Sequence, residues 1–361
     1  MTELQKATDE YIRVMSDVLS TNEEVNAALQ PCFKALSEAD EEGVNEFMKH
    51  TFSLVNLPDL EKASLAATVC GYLVERGFPA DSIIDDFINF YEGLIDKSLT
   101  FFRMLFYQID KLDTDDEQRD EKIDEIYSEL INDKELISND VYNAISALDK
   151  FYACGISLFS TDKNNFYKAK EKLQQKVDFV GNYSQGCYWF STLFSVLFDE
   201  LVVVIDIDRS IGFVGKINGI VDNYQLQHLL MGMPYLNNGK SVITEEDLAV
   251  VNGTGEQTTD RSIENKWNMY NLELCSKEDW QTLINTDEPG KSVEYRDSWI
   301  WSEGKPQDIT RYDGRRVILL GMPSYSRSTK VQRTFKNLKA NIEIEKELSK
   351  EEIDKWLYHT I

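Results

Sequence analysis

The sequence predicts an α+β protein: an all-α N-terminal domain over residues 1–178, then a smaller-stranded mixed α+β C-terminal domain over residues 179–361. Three observations carry that expectation. Apolar residues recur at three- and four-residue intervals through the first half. Short β-branched runs follow after residue 200. Texture and charge change together: residues 1–180 hold 18 basic and 36 acidic side chains, and the remainder hold 20 and 27. Four of the seven prolines (Pro234, Pro289, Pro306 and Pro323) also lie in the second half.

In the helical half, Asn56-Leu57-Pro58-Asp59 supplies an N-cap and an early proline, and Gly77 closes that helix. Pro79 starts the next, where Ile84, Phe87, Tyr91, Leu94 and Ile95 share one face. The run from Phe101 to Ile109 carries Arg103 and Gln108 and is too short to span a bilayer, so it reads as buried helix. Phe166, Ala169, Leu173 and Val177 mark a further helix, with Lys163, Lys168, Lys170, Lys172 and Lys176 mostly on its other faces.

In the second half, Leu201 to Ile205 reads as a buried strand, and Phe213 to Ile220 could pair with it as a hairpin. Val317 to Leu320 is another strand, and Ile342-Glu343-Ile344-Glu345 alternates as a half-exposed edge should. Ser349-Lys350-Glu351-Glu352 is a capping box that opens a terminal helix through Trp356 and Leu357. Trp299 and Trp301, two apart, would share a strand face and anchor this domain in its core. Residues 237–259 read as a loop-rich, poorly ordered insert.

Composition bounds the function. The chain of 361 residues is 42% apolar and 28% charged, enough to bury a core. Its net charge of −25 opposes general binding to nucleic-acid backbones, where Lys and Arg must replace condensed counterions, and to anionic membrane surfaces. The first residues show no basic stretch followed by an apolar one, so no signal peptide is expected. Five scattered cysteines (Cys32, Cys70, Cys154, Cys187 and Cys275) fit free thiols in a reducing cytoplasm. No cofactor or metal is expected.

Four segments carry potential chemistry. Val203-Val204-Ile205-Asp206-Ile207-Asp208 is a strand ending in Asp-x-Asp, the opening motif of haloacid-dehalogenase-like phosphotransferases. There the first carboxylate attacks phosphorus and the second handles the leaving-group proton. The continuation departs, because a hairpin follows at once and no later Gly-Asp acidic pair appears. Ser184-Gln185-Gly186-Cys187, with His228 downstream, places a thiol at a helix start as in papain-like and transglutaminase-like enzymes. Its flanking residues differ from theirs, His228 sits in an amphipathic helix pattern, and Cys187 among aromatics is expected to be a buried, unreactive core residue.

Residues 110–130 hold ten acidic and three basic side chains. Asp113, Asp115, Glu117, Glu121 and Asp124 imitate a calcium loop, but Gln118 stands where a tight turn needs glycine. Gly212 to Lys216 is too short for a phosphate loop. Finally, from Arg311 to Lys339 eight basic residues face only Asp313. The expected role of that run is docking on the protein's own acidic surface, and the alternative is anion binding, with Arg315, Arg316 and Arg327 as the candidates.

Residues 71–77, Gly219 to Leu230, Trp299 to Ile309 and Gly314 to Ser328 resemble segments of a broad group of uncharacterised bacterial proteins, from about residue 65 to the C-terminus. The resemblance implies a bacterial cytosolic protein whose halves belong together, and it transfers no catalytic residue. The expected function is that of a non-catalytic cytosolic binding protein, in one version toxin-neutralising (immunity-like), that recognises a basic protein partner. The alternative is a hydrolase, phosphatase-like through Asp206 and Asp208 or thiol-dependent through Cys187.

Overall fold

Side-chain caps place most of the helix starts. Thr2, Thr21, Asp40, Asp59, Ser138 and Asp162 each accept hydrogen bonds from first-turn backbone amides that would otherwise lack partners. They open α1 (Glu3–Ser16), α2 (Asn22–Leu36), α3 (Glu41–Ser53), α4 (Leu60–Glu75), α7 (Asn139–Ser160) and α8 (Lys163–Val180). Between them lie α5 (Ile84–Ile109) and α6 (Arg119–Asn132), and α9 (Gln185–Phe194) follows. The computed structural model describes residues 1–113, 118–257, 260–272, 298–323 and 326–358, so Cys275, Asp115 and Glu117 lie outside the described residues.

The helices form one compact unit, Met1–Phe194, and the rest forms a second, Ser195–Ile361. The sequence division after residue 178 falls near the end of α8. Beyond it, α9 packs on α7 and α8 and belongs with the helices. Pro79 lies before the helix it was expected to start: α5 begins at Ile84, after a turn over 81–83. Aromatic rings fill the core of this unit, with Tyr91 edge-on to Phe190 at 4.7 Å and Phe87 edge-on to Phe159 at 5.6 Å. The lysines of α8 sit outside, where Lys168 pairs with Asp85 and Lys176 with Glu92 and Asp96 of α5.

In the second unit, β1 (Glu200–Asp206) and β2 (Ile211–Asn218) form the anticipated hairpin. The helices α10 (Asn223–Gly232) and α11 (Glu245–Asn252) follow, then β3 (Ser262–Glu264), β4 (Asn268–Asn271), β5 (Arg311–Tyr312), β6 (Arg315–Gly321), β7 (Ser328–Lys330), β8 (Asn341–Glu347) and α12 (Lys350–Leu357). The main sheet runs β4-β6-β1-β2-β8, with β5 also paired to β6, and β3 pairs separately with β7. Its β1–β6 pair is parallel and its other pairs are antiparallel. The alternating Ile342 and Ile344 are on the edge strand β8, as expected.

Both faces of the sheet are covered, which explains why β1 is apolar without alternation. Val202, Val204, Ile318 and Leu320 face α10 and α11 through Leu226, Leu230 and Val250. Val203, Ile205, Val317 and Leu319 face α12 through Ile353, Trp356 and Leu357. The stretch from residue 237 corrects the expectation of a poorly ordered insert. Thr244 caps α11 there, and Val250 and Val251 enter the core. Similarly, α10 is buried on nearly every side rather than amphipathic, with Gln225, Gln227 and His228 all inside.

Two glycines test the packing of the helical unit. A Cβ on Gly186 would lie 2.2 Å from the Leu148 carbonyl oxygen, whereas one on Gly93 would meet nothing within 4 Å. Gly186→Ala should therefore cost about 2 kcal/mol through overpacking. Gly93→Ala in the interior of α5 should add about 0.5–1 kcal/mol by removing backbone entropy from the unfolded chain. Urea unfolding of both variants checks the pair, and equal effects would contradict the packing.

Candidate functional site

Asp206 ends β1 at the middle of the sheet and is 2% exposed. Its Oδ1 accepts from the Arg209 backbone amide at 3.1 Å. Its Oδ2 accepts from Arg209 Nε at 3.0 Å, Arg209 Nη2 at 2.6 Å and Trp267 Nε1 at 3.1 Å. Both carboxylate oxygens are thus committed, and a buried, doubly engaged carboxylate is poorly placed to attack phosphorus. Asp208, at the surface of the β1–β2 turn, has its carboxyl raised above the ordinary range by desolvation and by the charge of Asp206. Arg209 continues the network to the carbonyl of Leu236 and to Asn238 Oδ1. Lys266, the lysine next to Trp267, donates to Asn237 Oδ1 and lies 4.6 Å from the Trp267 ring centre.

The thiol candidate is also a core residue. Cys187 is fully buried, takes the Ser184 hydroxyl as acceptor for its backbone amide, and lies 3.9 Å from Tyr91 Oη. Burial pushes its thiol up to about 11, opposite to the depression that an activated nucleophile needs. Asp149 takes the capping role at this helix start, accepting from Ser184 Oγ and the Gly186 amide. His228 belongs to the other unit, where its Nε2 is 2.8 Å from Thr329 Oγ1. Burial lowers its imidazole to about 4, so it is neutral at ordinary pH. Among the described residues no group of three or more His, Cys, Asp or Glu is arranged to hold a metal ion. No helix there is long and apolar enough to cross a membrane.

At least six of the eight basic residues of the run are engaged locally within their own unit. Arg311 and Arg316 both reach Glu200, and Lys330 reaches Asp260. Arg316 is buried and also donates to the carbonyls of Gln307 and Ile309. Arg333 donates to the carbonyls of Val250 and Lys336. Of the three anion candidates, Arg315 and Arg316 open β6 while Arg327 follows its far end. A seven-residue strand separates its ends by roughly 20 Å, so the three do not converge on one anion. Ser324 and Tyr325, beside Arg327 in the sequence, lie outside the described residues.

Arg327 instead lines a small recess that the sequence reading missed. Its walls are Trp267, Trp299, Trp301, Met269 and Ile300, and its polar groups come from Gln227, Asn265, Asn268, Ser302 and Arg327. The tryptophan rings are in contact, with centres 5.5 Å apart, but Trp299 is half-buried against the cluster of Val203, Ile205 and Tyr270 while Trp301 reaches solvent. Ile300 between them is the buried anchor, hydrogen-bonded through its amide to the Met269 carbonyl, while Trp301 is 51% exposed. This corrects the expectation that Trp301 anchors the domain, whereas Trp299 does pack against the core. The segment Asn265-Lys266-Trp267-Asn268, an indole set between carboxamides, is the sequence signal that could have found the recess.

No protein-family model, curated protein or solved structure matches the chain. The site is therefore read from its own geometry.

Removing one partner of a buried ion pair strands the other. Because Arg209 is partly solvated, Asp206→Asn should cost about 2–3 kcal/mol in urea unfolding. Asp208→Asn should stay within about 0.5 kcal/mol of the parent. Equal small effects would show that Asp206 is not a structural anchor.

His228 gives a pH prediction. Below its ordinary value of 6.5 the unfolded chain binds a proton that the folded protein refuses until about 4. This contribution to stability is complete above 6.5 and lost as pH falls toward 4, about 2 kcal/mol between pH 7 and pH 5. A His228→Gln variant should lack that decrement. A wild-type and variant difference that does not change between the two pH values would refute it.

Proposed function

We propose that the protein is a non-catalytic binding protein whose acidic helical unit receives the basic face of a protein partner. One observation carries the reading. A groove bordered by α1, the end of α2 and the start of α3 is lined by Glu3, Asp9, Glu38, Asp40, Glu42 and Glu46, with no Lys or Arg side chain among its walls. Its volume is about 1000 Å³. Like charges gathered at a concave surface raise the local potential, draw in an oppositely charged partner and speed its encounter. The groups that would support the rival hydrolase reading are meanwhile committed elsewhere: Asp206 to Arg209 and Trp267, and Cys187 to a closed core.

The concrete version is neutralisation of a basic toxin, with the groove covering the toxin's cationic working face. A bacterial cytoplasmic setting suits it. Cys32, Cys70, Cys154 and Cys187 are all free and buried, which fits a reducing compartment. The resemblance to uncharacterised bacterial proteins fits the same setting.

Charge reversal tests the reading. Asp9→Lys, Glu42→Lys and Glu46→Lys combined should leave the melting temperature nearly unchanged, because these side chains are exposed. Titrated against small, strongly basic proteins and lysine-rich helical peptides at low salt, the parent should bind and the triple variant should bind at least about tenfold more weakly. Binding by the parent should also weaken steeply with added salt. Equal affinity of parent and variant, or no association at low salt, would count against the groove.

A further inference from the structure

We propose that the recess between Trp267, Trp299 and Trp301 is a binding site for a neutral, hydroxyl-rich ring, the chemistry of a pyranose unit in an oligosaccharide. The inference concerns the C-terminal unit and goes beyond the partner binding assigned to the helical groove.

Trp301 provides the platform. It is 51% exposed, and its ring stands at 62° to that of Trp299, 5.5 Å away. An indole face carries the negative side of an aromatic quadrupole, which attracts the weakly positive C–H groups on one face of a sugar ring. Around this platform stand the carboxamides of Gln227, Asn265 and Asn268 and the hydroxyl of Ser302. Carboxamides and hydroxyls both donate and accept, as sugar hydroxyls do. They are also held in place before any ligand arrives. Asn265 Oδ1 accepts from the Arg327 amide at 2.7 Å, Asn268 Nδ2 donates to Tyr270 Oη at 3.4 Å, and Gln227 Nε2 donates to the Trp267 carbonyl. Such preorganisation lowers the entropic cost of binding.

Charge and size narrow the ligand. Arg327 is paired with Glu303 at 2.5 Å and lies 5.2 Å from the Tyr224 ring centre, so the rim offers a balanced pair rather than a free cation for a phosphate. A nucleic-acid strand would need a basic track beside the aromatic platform, and the chain carries −25. The recess itself holds about 30 Å³, space for one hydroxyl or hydroxymethyl group. The ring therefore lies over Trp301 and sends a single substituent inward.

The experiment titrates the full-length protein with cellohexaose, chitohexaose, maltohexaose and mannohexaose, and with adenosine monophosphate as a planar, charged competitor. Tryptophan fluorescence and saturation-transfer NMR read the binding. At least one hexasaccharide should saturate with a Kd at or below about 1 mM. Trp301→Ala should weaken it at least about tenfold at an unchanged melting temperature, and Trp301→Phe should retain part of the affinity. The proposal is overturned if none of the four saccharides binds, if Trp301→Ala binds as well as the parent, or if the nucleotide binds through Trp301 in their place.

Discussion

The C-terminal unit hangs on the carboxylate of Asp206. Four donor contacts converge on it: three come from Arg209, in the turn that follows β1, and one from the Trp267 indole just ahead of β4. Arg209 then carries the network to Leu236 and Asn238, in the stretch between α10 and α11. One buried charge thus fixes three chain segments far apart in sequence. A buried carboxylate is costly unless its lone pairs are filled, and here they are filled by a backbone amide, a guanidinium and an indole. The consequence reaches the surface recess, because Trp267 is its inner wall and the Trp267 carbonyl receives Gln227. The residue that looked most like a nucleophile in the sequence is the one that sets the shape of the candidate binding site.

Charge follows a similar rule of local settlement. Most of the basic run that stands out against a chain of −25 is engaged by Glu200, Glu303, Asp260 and Asp313 of its own unit and by backbone carbonyls. Exposed members of such pairs contribute little each, whereas Arg316 is buried with Glu200 and the carbonyls of Gln307 and Ile309, and so acts as a cross-link between β1, β6 and the segment before β5. Residues 1–180 keep twice as many acids as bases. The α8 lysines offset part of that excess along α5, and the carboxylates of the α1–α3 groove stand apart from those pairs.

How much of this could be read in advance depends on the range of the interaction. Caps, turns and periodic faces are local, so Asp59, Gly77, the β1–β2 hairpin, edge strand β8 and the capping box at Ser349 were all legible. The order of strands was not, since the parallel β1–β6 pair joins residues more than a hundred positions apart. Polar residues misled where burial satisfied them. Gln225 and Gln227 look like the wet face of a helix, yet they hydrogen-bond to the carbonyls of Val251 and Trp267 inside the unit. The motifs at Asp206 and Cys187 say little by themselves for the same reason, because whether a carboxylate or thiol is reactive depends on neighbours that a short motif does not specify; the aromatic run after Cys187 did mark it as a core residue.

The sequence Trp299-Ile300-Trp301 illustrates the remaining ambiguity. A two-residue period fixes that the indoles share a side but not which side faces the core. Apolar area alone would turn the indoles inward, since a tryptophan buries more surface than an isoleucine, at roughly 25 cal/mol for each Å². The fold does so only for Trp299. The Ile300 amide bonds to the Met269 carbonyl, and its side chain enters the cluster that β1, β6 and α10 share. Trp299 is edge-on to Tyr270 at 6.4 Å on one side and to Trp301 at 5.5 Å on the other, so aromatic contact runs from core to solvent through three rings. That arrangement forgoes the full burial of Trp301 while holding its ring in place. Ile300 closes the core on one face of the sheet and Trp299 packs on the other, which leaves Trp301 exposed beside carboxamides that are already hydrogen-bonded.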